Sequence, residues 1–272
     1  MRKHWDAWVT EDHIESLSNM GVDTIRVPVA DWMYVPYPPY IHCWDGSLEV
    51  LDRLFRWCEK YSMNVILDVH TEVFSQNPFD NSGRADKIIW TSNNTYTHEY
   101  QANWFGQFDN ITQKYESMNM THMYHALNVV QKLVDMYKNT PAVIGIEPIN
   151  EPWAPVPIKH LKSFYYDVYT LIQTQVPNWI TLFHDSFRLS VDLWGGFLLN
   201  CPNFAMDTHI YLAWSEVHPH WVYQNAACNN AVAIRNMESA GLPVVVGEWS
   251  LATSKYMYVV CWCVCIVCAL YR

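Results

Sequence analysis

Two glutamates at the ends of apolar runs have the chemistry and the placement that carboxylate catalysis needs. Glu151 lies in the tripeptide Asn150-Glu151-Pro152, which closes an isoleucine-rich run, and Glu248 ends the valine run that begins at Val244. Cleavage of a glycosidic bond with retention uses one carboxylate as nucleophile and a second carboxyl group, about 5–5.5 Å away, as acid and then base. We expect Glu151 to be the acid/base and Glu248 the nucleophile. The alternative is that each glutamate forms a buried ion pair.

Short apolar runs alternate with amphipathic segments along most of the chain. The runs are continuous and rich in valine, isoleucine or leucine, as is typical of parallel strands that are buried on both faces. We predict strands over residues 23–29, 64–70, 142–150, 179–185, 204–211 and 243–249. Apolar periodicity predicts helices over residues 10–20, 47–61, 122–138, 160–175 and 229–240. This alternation predicts an α/β fold, and 272 residues suit one (β/α)₈ TIM barrel.

A barrel of this type would bring the two glutamates together, because the carboxyl ends of its strands form the active-site face. Six strands can be counted where the barrel has eight, so we expect strand 1 and a normal strand 8 to be absent. Residues 71–121 are predicted to be an insertion that carries substrate loops. Glu147 precedes Glu151 by four residues and is predicted to be a structural acid at a deeper layer of the barrel. As an acid/base, Glu151 needs a pKa raised by burial or by a second carboxylate.

Charge and composition limit the partners. There are 27 acidic and 17 basic residues, a formal net charge of −10 without a basic stripe, which argues against nucleic acid and anionic membrane surfaces. The cysteines and histidines lack zinc-finger spacing, and carboxylates suffice for the chemistry, so we expect no metal and no cofactor. The 14 Trp and 17 Tyr residues fit both a large core and a cleft that stacks on sugar rings. We expect a monomer that binds a polysaccharide.

Three N-glycosylation sequons begin at Asn93, Asn110 and Asn119, and they favour a secreted protein. No apolar signal-peptide segment follows Met1. Residues 255–272 form an apolar, cysteine-rich tail whose run of about 14 apolar residues is shorter than the roughly 20 that span a bilayer. A translated intron or frameshift, a weak membrane anchor and a final strand are the three interpretations of this tail. We therefore divide the chain into an incomplete catalytic barrel, residues 1–254, and the tail, residues 255–272.

These motifs together resemble glycoside hydrolase family 5, in the branch of exo-β-1,3-glucanases from fungi and oomycetes. The similar segments run from His4 to Ala252 and include residues 21–29, 67–70, 75–77, 79–84 and 206–211. The resemblance implies a secreted retaining hydrolase of the cell wall that cleaves β-1,3-glucan from the chain end and releases glucose. Two alternatives stay open: a β-1,4-glucanase or mannanase of the same family, and an inactive, truncated sugar-binding remnant.

The resemblance also implies substrate-binding roles for eight further residues: Arg26, His70, Phe79, Asn81, Asn150, His209, Tyr211 and Trp214. Arg26 would bind the nucleophile and favour its ionised form. On sequence alone, Arg26 could instead be a surface arginine that pairs with another side chain on a helix. Tyr211 would donate a hydrogen bond to Glu248. Phe79 and Trp214 would grip sugar at the entrance as an aromatic clamp.

The chain departs from the family pattern in two ways. Where the family commonly has Gly-Ala-Pro-Gly, this chain has Thr-Glu-Val-Phe at residues 71–74, so Glu72 is expected to add a carboxylate near the rim of the cleft. With strands 1 and 8 absent, the strands at 23–29 and 243–249 would each present an unpaired edge. We therefore expect residues 1–272 on their own to be unstable or inactive.

Overall fold

In the computed structural model of the chain, six parallel strands form one curled sheet with helices packed against it. The structure describes residues 2–41, 45–79, 81–82, 88–90, 96–98, 102–109, 111–212, 217–250 and 252. Trp214, the sequon residues Asn93 and Asn110, and the tail at 255–272 lie outside the described residues. The domain boundary at residue 254 therefore stays a prediction.

The elements alternate along the chain as the sequence predicts. The α-helices of the described part are α1 Arg2–Trp8, α2 Glu11–Asn19, α3 Asp45–Lys60, α4 Met120–Tyr137, α5 Ile158–Gln175, α6 Val191–Trp194 and α7 His220–Ser239. The strands are β1 Thr24–Ala30, β2 Asn64–Thr71, β3 Ile88–Trp90, β4 Tyr96–His98, β5 Phe108–Asp109, β6 Lys114–Tyr115, β7 Val143–Glu147, β8 Ile180–His184, β9 Phe204–Ile210 and β10 Val244–Trp249. A turn of 3-10 helix, Asp31–Met33, follows β1.

The main sheet has the order β1-β2-β7-β8-β9-β10, and every neighbouring pair in it is parallel. In a flat sheet with strands about 4.8 Å apart, β1 and β10 would be separated by about 24 Å. Arg26 on β1 nevertheless lies 3.0 Å from Glu248 on β10, between Nη1 and Oε1. The sheet therefore curls until its two outer strands face each other, as six consecutive strands of a (β/α)₈ barrel do. The predicted fold class is confirmed.

All six predicted strands are present, and the differences lie at their ends. β7 stops at Glu147 because the chain then turns toward Glu151, which adopts a left-handed conformation with φ of 47°. β9 ends at Ile210, one residue before Tyr211. α7 begins at His220, well before the predicted residue 229, and α1 and α6 were not predicted. The predicted insertion contains two small antiparallel pairs, β3-β4 and β5-β6.

Alternation of side chains along the strands separates an apolar outer face from a polar inner face. On β2, Val65, Leu67 and Val69 are buried in the main core together with helix residues such as Leu133 of α4. Inside the curl, Ile66, Leu182 and Ala205 form a separate small apolar cluster. Beyond this cluster, toward the carboxyl ends of the strands, the inner face carries charged and polar side chains.

β1 and β10 are the edge strands of the described sheet, as expected. A cavity of about 810 Å³ lies between β1 and helices α1, α2 and α3, and its lining is mainly apolar, including Trp5, Ile14, Ile25 and Leu51. Ile14, Ile25 and Leu51 are themselves buried in the wall of this cavity. The three cysteines that the structure describes, Cys58, Cys201 and Cys228, are unpaired. Among the described helices, none is both long and apolar enough to cross a membrane.

Candidate active site

The two candidate catalytic glutamates meet at one histidine. Nδ1 of His209 lies 2.6 Å from Oε1 of Glu151 and 3.5 Å from Oε2 of Glu248. These two carboxylate oxygens are therefore no more than about 6 Å apart, a bound that includes the roughly 5–5.5 Å between the carboxyl groups of a retaining pair. Both glutamates are buried, with exposed fractions of 5% and 6%. The fold thus brings together two residues that are far apart in sequence.

Local backbone features place each glutamate. Glu151 follows β7 in a left-handed conformation, which costs about 1–3 kcal/mol for a residue other than glycine and is common at active sites. Glu248 lies at an irregularity in the pairing of β10 with β9. The preceding Gly247 donates its amide to Oδ1 of Asp207 at 2.6 Å, and a Cβ on it would lie 2.1 Å from Oδ2 of the same carboxylate. Only glycine leaves room for this contact.

Arg26 is the centre of a buried charge network. Its Nη1 donates to Oε1 of Glu248 at 3.0 Å, its Nε donates to Oε2 of Glu147 at 2.7 Å, and its Nη2 donates to Oδ1 of Asn150 at 2.9 Å. The Asp68 carboxylate is 3.3 Å away. Because Arg26 is 3% exposed, the alternative of a surface arginine on a helix is excluded. The guanidinium of Arg26 therefore holds the side chains of Glu248, Glu147 and Asp68 around one buried cation.

Glu147 is fully buried and points into the barrel interior, one layer deeper than Glu151. Burial raises its pKa well above the usual range, with opposition from the charge of Arg26 and support from Asp207. Its hydrogen bond from Arg26 agrees with the prediction that Glu147 is a structural acid at a deeper layer of the barrel.

The charge of Glu151 differs from the expectation. Burial raises its pKa, but the hydrogen bond and the charge of His209 outweigh burial and lower the pKa to about 2. Asn81 contributes in the same direction by donating from Nδ2 to Oε2 at 3.0 Å. The expected upward shift is therefore wrong for the free site, because the sequence did not show that His209 would contact this carboxylate.

His209 itself carries the positive charge of this pair. Burial disfavours that charge, but Asp207, Glu151 and Glu248 surround the ring and raise its pKa well above the usual range. The neighbouring His184, whose ring centroid is 4.4 Å away, shows the opposite behaviour. Burial and the charge of His209 lower the pKa of His184 to about 3. The site therefore holds one charged and one neutral histidine side by side.

The remaining predicted contacts surround these groups. The hydroxyl of Tyr211 donates to Oε2 of Glu248 at 2.8 Å. Nδ1 of His70 lies 2.6 Å from Oδ2 of Asp68, and its Nε2 lies 3.4 Å from Nδ2 of Asn150. His70 and Asn150 are thus neighbours on the side of the site next to Arg26. Their predicted contact with a sugar stays a prediction.

The loop after β2 fixes the segment that carries Glu151. Nε2 of Gln76 donates to the carbonyls of His70 and Asn150, at 2.8 and 3.0 Å. Nδ2 of Asn77 donates to the carbonyl of Glu151 at 2.8 Å. Both amides are fully buried. Sequence reasoning missed their positioning role, and the same holds for Asp68, His184 and Asp207, whose signal was a polar residue inside an otherwise apolar strand.

The described residues near the entrance include an exposed aromatic pair. Phe79 is 41% exposed and makes an edge-on contact with Phe187, which is 43% exposed, with ring centroids 5.9 Å apart. Trp214, the predicted partner, lies outside the described residues. Phe187 was missed because it follows β8 in a left-handed conformation, with φ of 58°, that sequence periodicity does not reveal.

Three groups of side chains in the described residues have the composition of a metal site. Two of them, Glu151 with His184 and His209, and Glu147 with Asp207 and His209, belong to the site above, where Arg26 and the His209 ring already supply positive charge. The third consists of Asp31, Glu72 and His125 and shares no residue with the other two groups. Glu72 is fully buried, so its expected position at the cleft rim is wrong.

Comparison with known proteins identifies the family. The sequence pattern of the family described as Cellulase (glycosyl hydrolase family 5) matches residues 1–262. The chain belongs to this family. It is 30% identical over 261 residues to a glucan 1,3-beta-glucosidase of Blumeria graminis, a match that covers 92% of this chain and 53% of that protein. A probable glucan 1,3-beta-glucosidase A of Emericella nidulans is 29% identical, with 93% and 56% covered. The chain thus spans about half the length of these curated relatives.

Solved structures of other proteins share the fold. The crystal structure of rutinosidase from Aspergillus niger superposes with a TM-score of 0.69 at 19% identity, covering 91% of this chain and 66% of that one. The endoglucanase Cel5A from Pseudomonas stutzeri superposes with a TM-score of 0.55 at 15% identity, covering 88% and 67%. At these identities the likeness concerns the fold alone, and it agrees with the assignment of the six strands to a barrel.

Proposed function

We propose that this chain carries the catalytic centre of a retaining β-glycosidase, with Glu248 as nucleophile and Glu151 as acid/base. The observation that carries the proposal is the meeting of both carboxylates at Nδ1 of His209, at 2.6 and 3.5 Å. Arg26 and Tyr211 each bond one oxygen of Glu248, so this carboxylate is held by two donors. Membership of glycosyl hydrolase family 5 supports the same chemistry.

The reaction has two displacements at the anomeric carbon. In the first, an oxygen of Glu248 attacks this carbon, the glycosidic bond breaks, and Glu151 gives a proton to the departing oxygen. In the second, Glu151 takes a proton from water while the water oxygen attacks the same carbon and releases Glu248. The sugar leaves with its original anomeric configuration, and both carboxyl groups return to their starting states.

His209 supplies the proton that the first displacement needs. Glu151 has its pKa lowered to about 2 and is ionised in the free site, whereas His209 is charged. The hydrogen bond that joins them is 2.6 Å long. When a sugar oxygen approaches Glu151, the proton can move across this bond to the carboxylate and from there to the departing oxygen. The pair therefore acts as one acid, and the proton that Glu151 takes from water in the second displacement returns across the same bond to His209.

The substrate we propose is β-1,3-glucan, cleaved from the chain end to release glucose. The names of the curated relatives, glucan 1,3-beta-glucosidase, support this choice. Phe79 has an exposed ring and lies two residues before Asn81, which donates a hydrogen bond to Glu151. Its ring is therefore placed to stack on the face of a sugar at the entrance. Trp214 keeps its predicted role in this entrance.

Hydrolysis of laminarin, followed by proton NMR for the chain and for a version completed at both ends with family-like segments, tests this proposal. We expect the first glucose released to be the β-anomer, and laminarin to be cleaved in preference to cellulose and mannan. Glu248→Gln should abolish the release, whereas Glu238→Gln, on the exposed side of α7, should leave it unchanged. Faster release from mannan or cellulose would move the chain to another specificity of the family. A folded chain that binds laminarin and releases no glucose would be the inactive remnant.

We also propose that the protein is secreted, glycosylated, monomeric and active on cell-wall glucan. The three sequons support the first two points. Asn119 is the one sequon asparagine in the described residues, and its Oδ1 caps α4 by accepting from the amides of Thr121 and His122 at 3.0 and 3.2 Å. Peptide mapping of protein secreted from a fungal host should find glycans at Asn93 or Asn110.

A further inference from the structure

We infer that Asp31, Glu72 and His125 form a binding site for one divalent transition-metal cation, separate from the catalytic centre. Asp31 follows β1, Glu72 follows β2 and His125 lies on α4, so three elements converge here. One ligand atom from each side chain lies within 4.8 Å of the other two. Around one ion with bonds of about 2.0–2.2 Å, ligand atoms lie roughly 3–4 Å apart, so small movements would close the set.

Glu72 is the observation that points to a ligand. Its side chain is fully buried, and neither carboxylate oxygen has a hydrogen-bond partner among the described residues. Burial and the charge of Asp31 raise the pKa of Glu72 well above its usual range, because a buried carboxyl group without a cation or a metal is costly to ionise. Among the described ion pairs, none joins Glu72 or Asp31 to a lysine or an arginine. A bound cation would satisfy both oxygens.

Asp31 and His125 are already oriented as ligands. Oδ1 of Asp31 accepts from Thr71 Oγ1 at 2.9 Å and from the hydroxyl of Tyr37 at 3.3 Å. This leaves Oδ2 directed at Nε2 of His125, 3.0 Å away. Donors that hold the far oxygen of a ligating carboxylate are the usual supporting contacts of metal sites. The His125 side chain is 15% exposed, which gives an ion a route from solvent.

The ligand set selects the class of ion. Two carboxylates and one imidazole offer oxygen and nitrogen without sulfur, which suits manganese, iron and zinc better than copper(I), which prefers sulfur ligands. Two negative charges balance a divalent cation. The ion would tie the ends of β1 and β2 to α4. The Glu72 amide also donates to Oε1 of Gln76 at 3.1 Å, so the site adjoins the loop that holds Asn150.

Titration with Mn²⁺, followed by electron paramagnetic resonance, tests the site. Manganese is the probe because it competes poorly for the eight cysteines of the chain. The 272-residue protein, dialysed against EDTA, should bind one equivalent of Mn²⁺. Glu72→Gln and His125→Ala should each weaken binding at least about 10-fold. The matched control Glu238→Gln, an exposed carboxylate on α7, should bind as the wild type does.

Two further measurements decide the outcome even where a variant folds poorly. The wild-type complex should show nitrogen coupling from a single imidazole in pulsed spectra. Glu151→Gln should retain the Mn²⁺ equivalent, because the ion lies outside the catalytic centre. Loss of binding in Glu151→Gln, equal binding in Glu72→Gln, or the absence of nitrogen coupling would each overturn the inference.

Discussion

His209 controls the charge of Glu151, and a double-mutant cycle measures how strongly. The lowered pKa of Glu151, about 2 against an ordinary 4.5, corresponds to about 3 kcal/mol in favour of the carboxylate. In His209→Ala, burial remains while the main opposing effects disappear, so the pKa should return to 4.5 or higher. Because Glu151 is 5% exposed, solvent screens little of this energy. We therefore expect a coupling of about 3 kcal/mol between His209→Ala and Glu151→Gln at pH 6.

The pH dependence of this coupling has a defined sign. A carboxyl group with a lowered folded-state pKa stabilises the protein fully above its unfolded-state pKa, 4.5, and this stabilisation is lost as the pH falls through about 2. At pH 3 the coupling should have fallen to about 1.5 kcal/mol. Urea unfolding of wild type, both single variants and the double variant at pH 6 and pH 3 provides the values. A coupling below about 1 kcal/mol at pH 6, or one that is unchanged at pH 3, would refute the assignment of the proton to His209.

Three other changes have outcomes that the structure fixes. Glu151→Gln should slow substrates with poor leaving groups far more than activated aryl glucosides, because only the former need a proton; equal losses would argue against the acid role. Arg26→Met should cost about 3–5 kcal/mol in urea unfolding, since it removes the buried cation that Asp68 and Glu248 contact, and a loss under 1 kcal/mol would show that this network contributes little to stability. Asn119→Ala should cost about 1 kcal/mol by removing the cap of α4, whereas Asn119→Ser should restore most of it.

The strands of the sheet could be predicted because their burial on both faces leaves a strong signal in sequence. Val65, Leu67 and Val69 alternate with inward residues, yet β2 is apolar apart from Asp68 and the two ends of the strand. The start of α7 was missed because His220–Ser239 has its first half exposed, so no apolar stripe marks it. Short elements such as α6 depend on contacts with neighbouring segments, and they are too short to show a hydrophobic periodicity in the sequence.

The identity of the two central glutamates could be predicted, but their electrostatic environment could not. Strand ends and motif resemblance indicated Glu151 and Glu248, and the fold brings them to one histidine. The charge of Glu151 depends on its hydrogen bond with Nδ1 of His209, a contact between side chains that the sequence does not reveal. Glu72 shows the same limit, because its burial follows from how the loop after β2 turns inward.

Trapping of the glycosyl-enzyme tests the central claim most directly. The protein is incubated with an activated 2-deoxy-2-fluoro-β-glucoside, digested, and its peptides are sequenced by mass spectrometry. We expect one label, on Glu248, that is absent from Glu248→Gln, because the retaining path passes through an ester on this carboxylate. A label on Glu147 or Glu72, or a folded protein that hydrolyses laminarin and takes no label, would contradict the account.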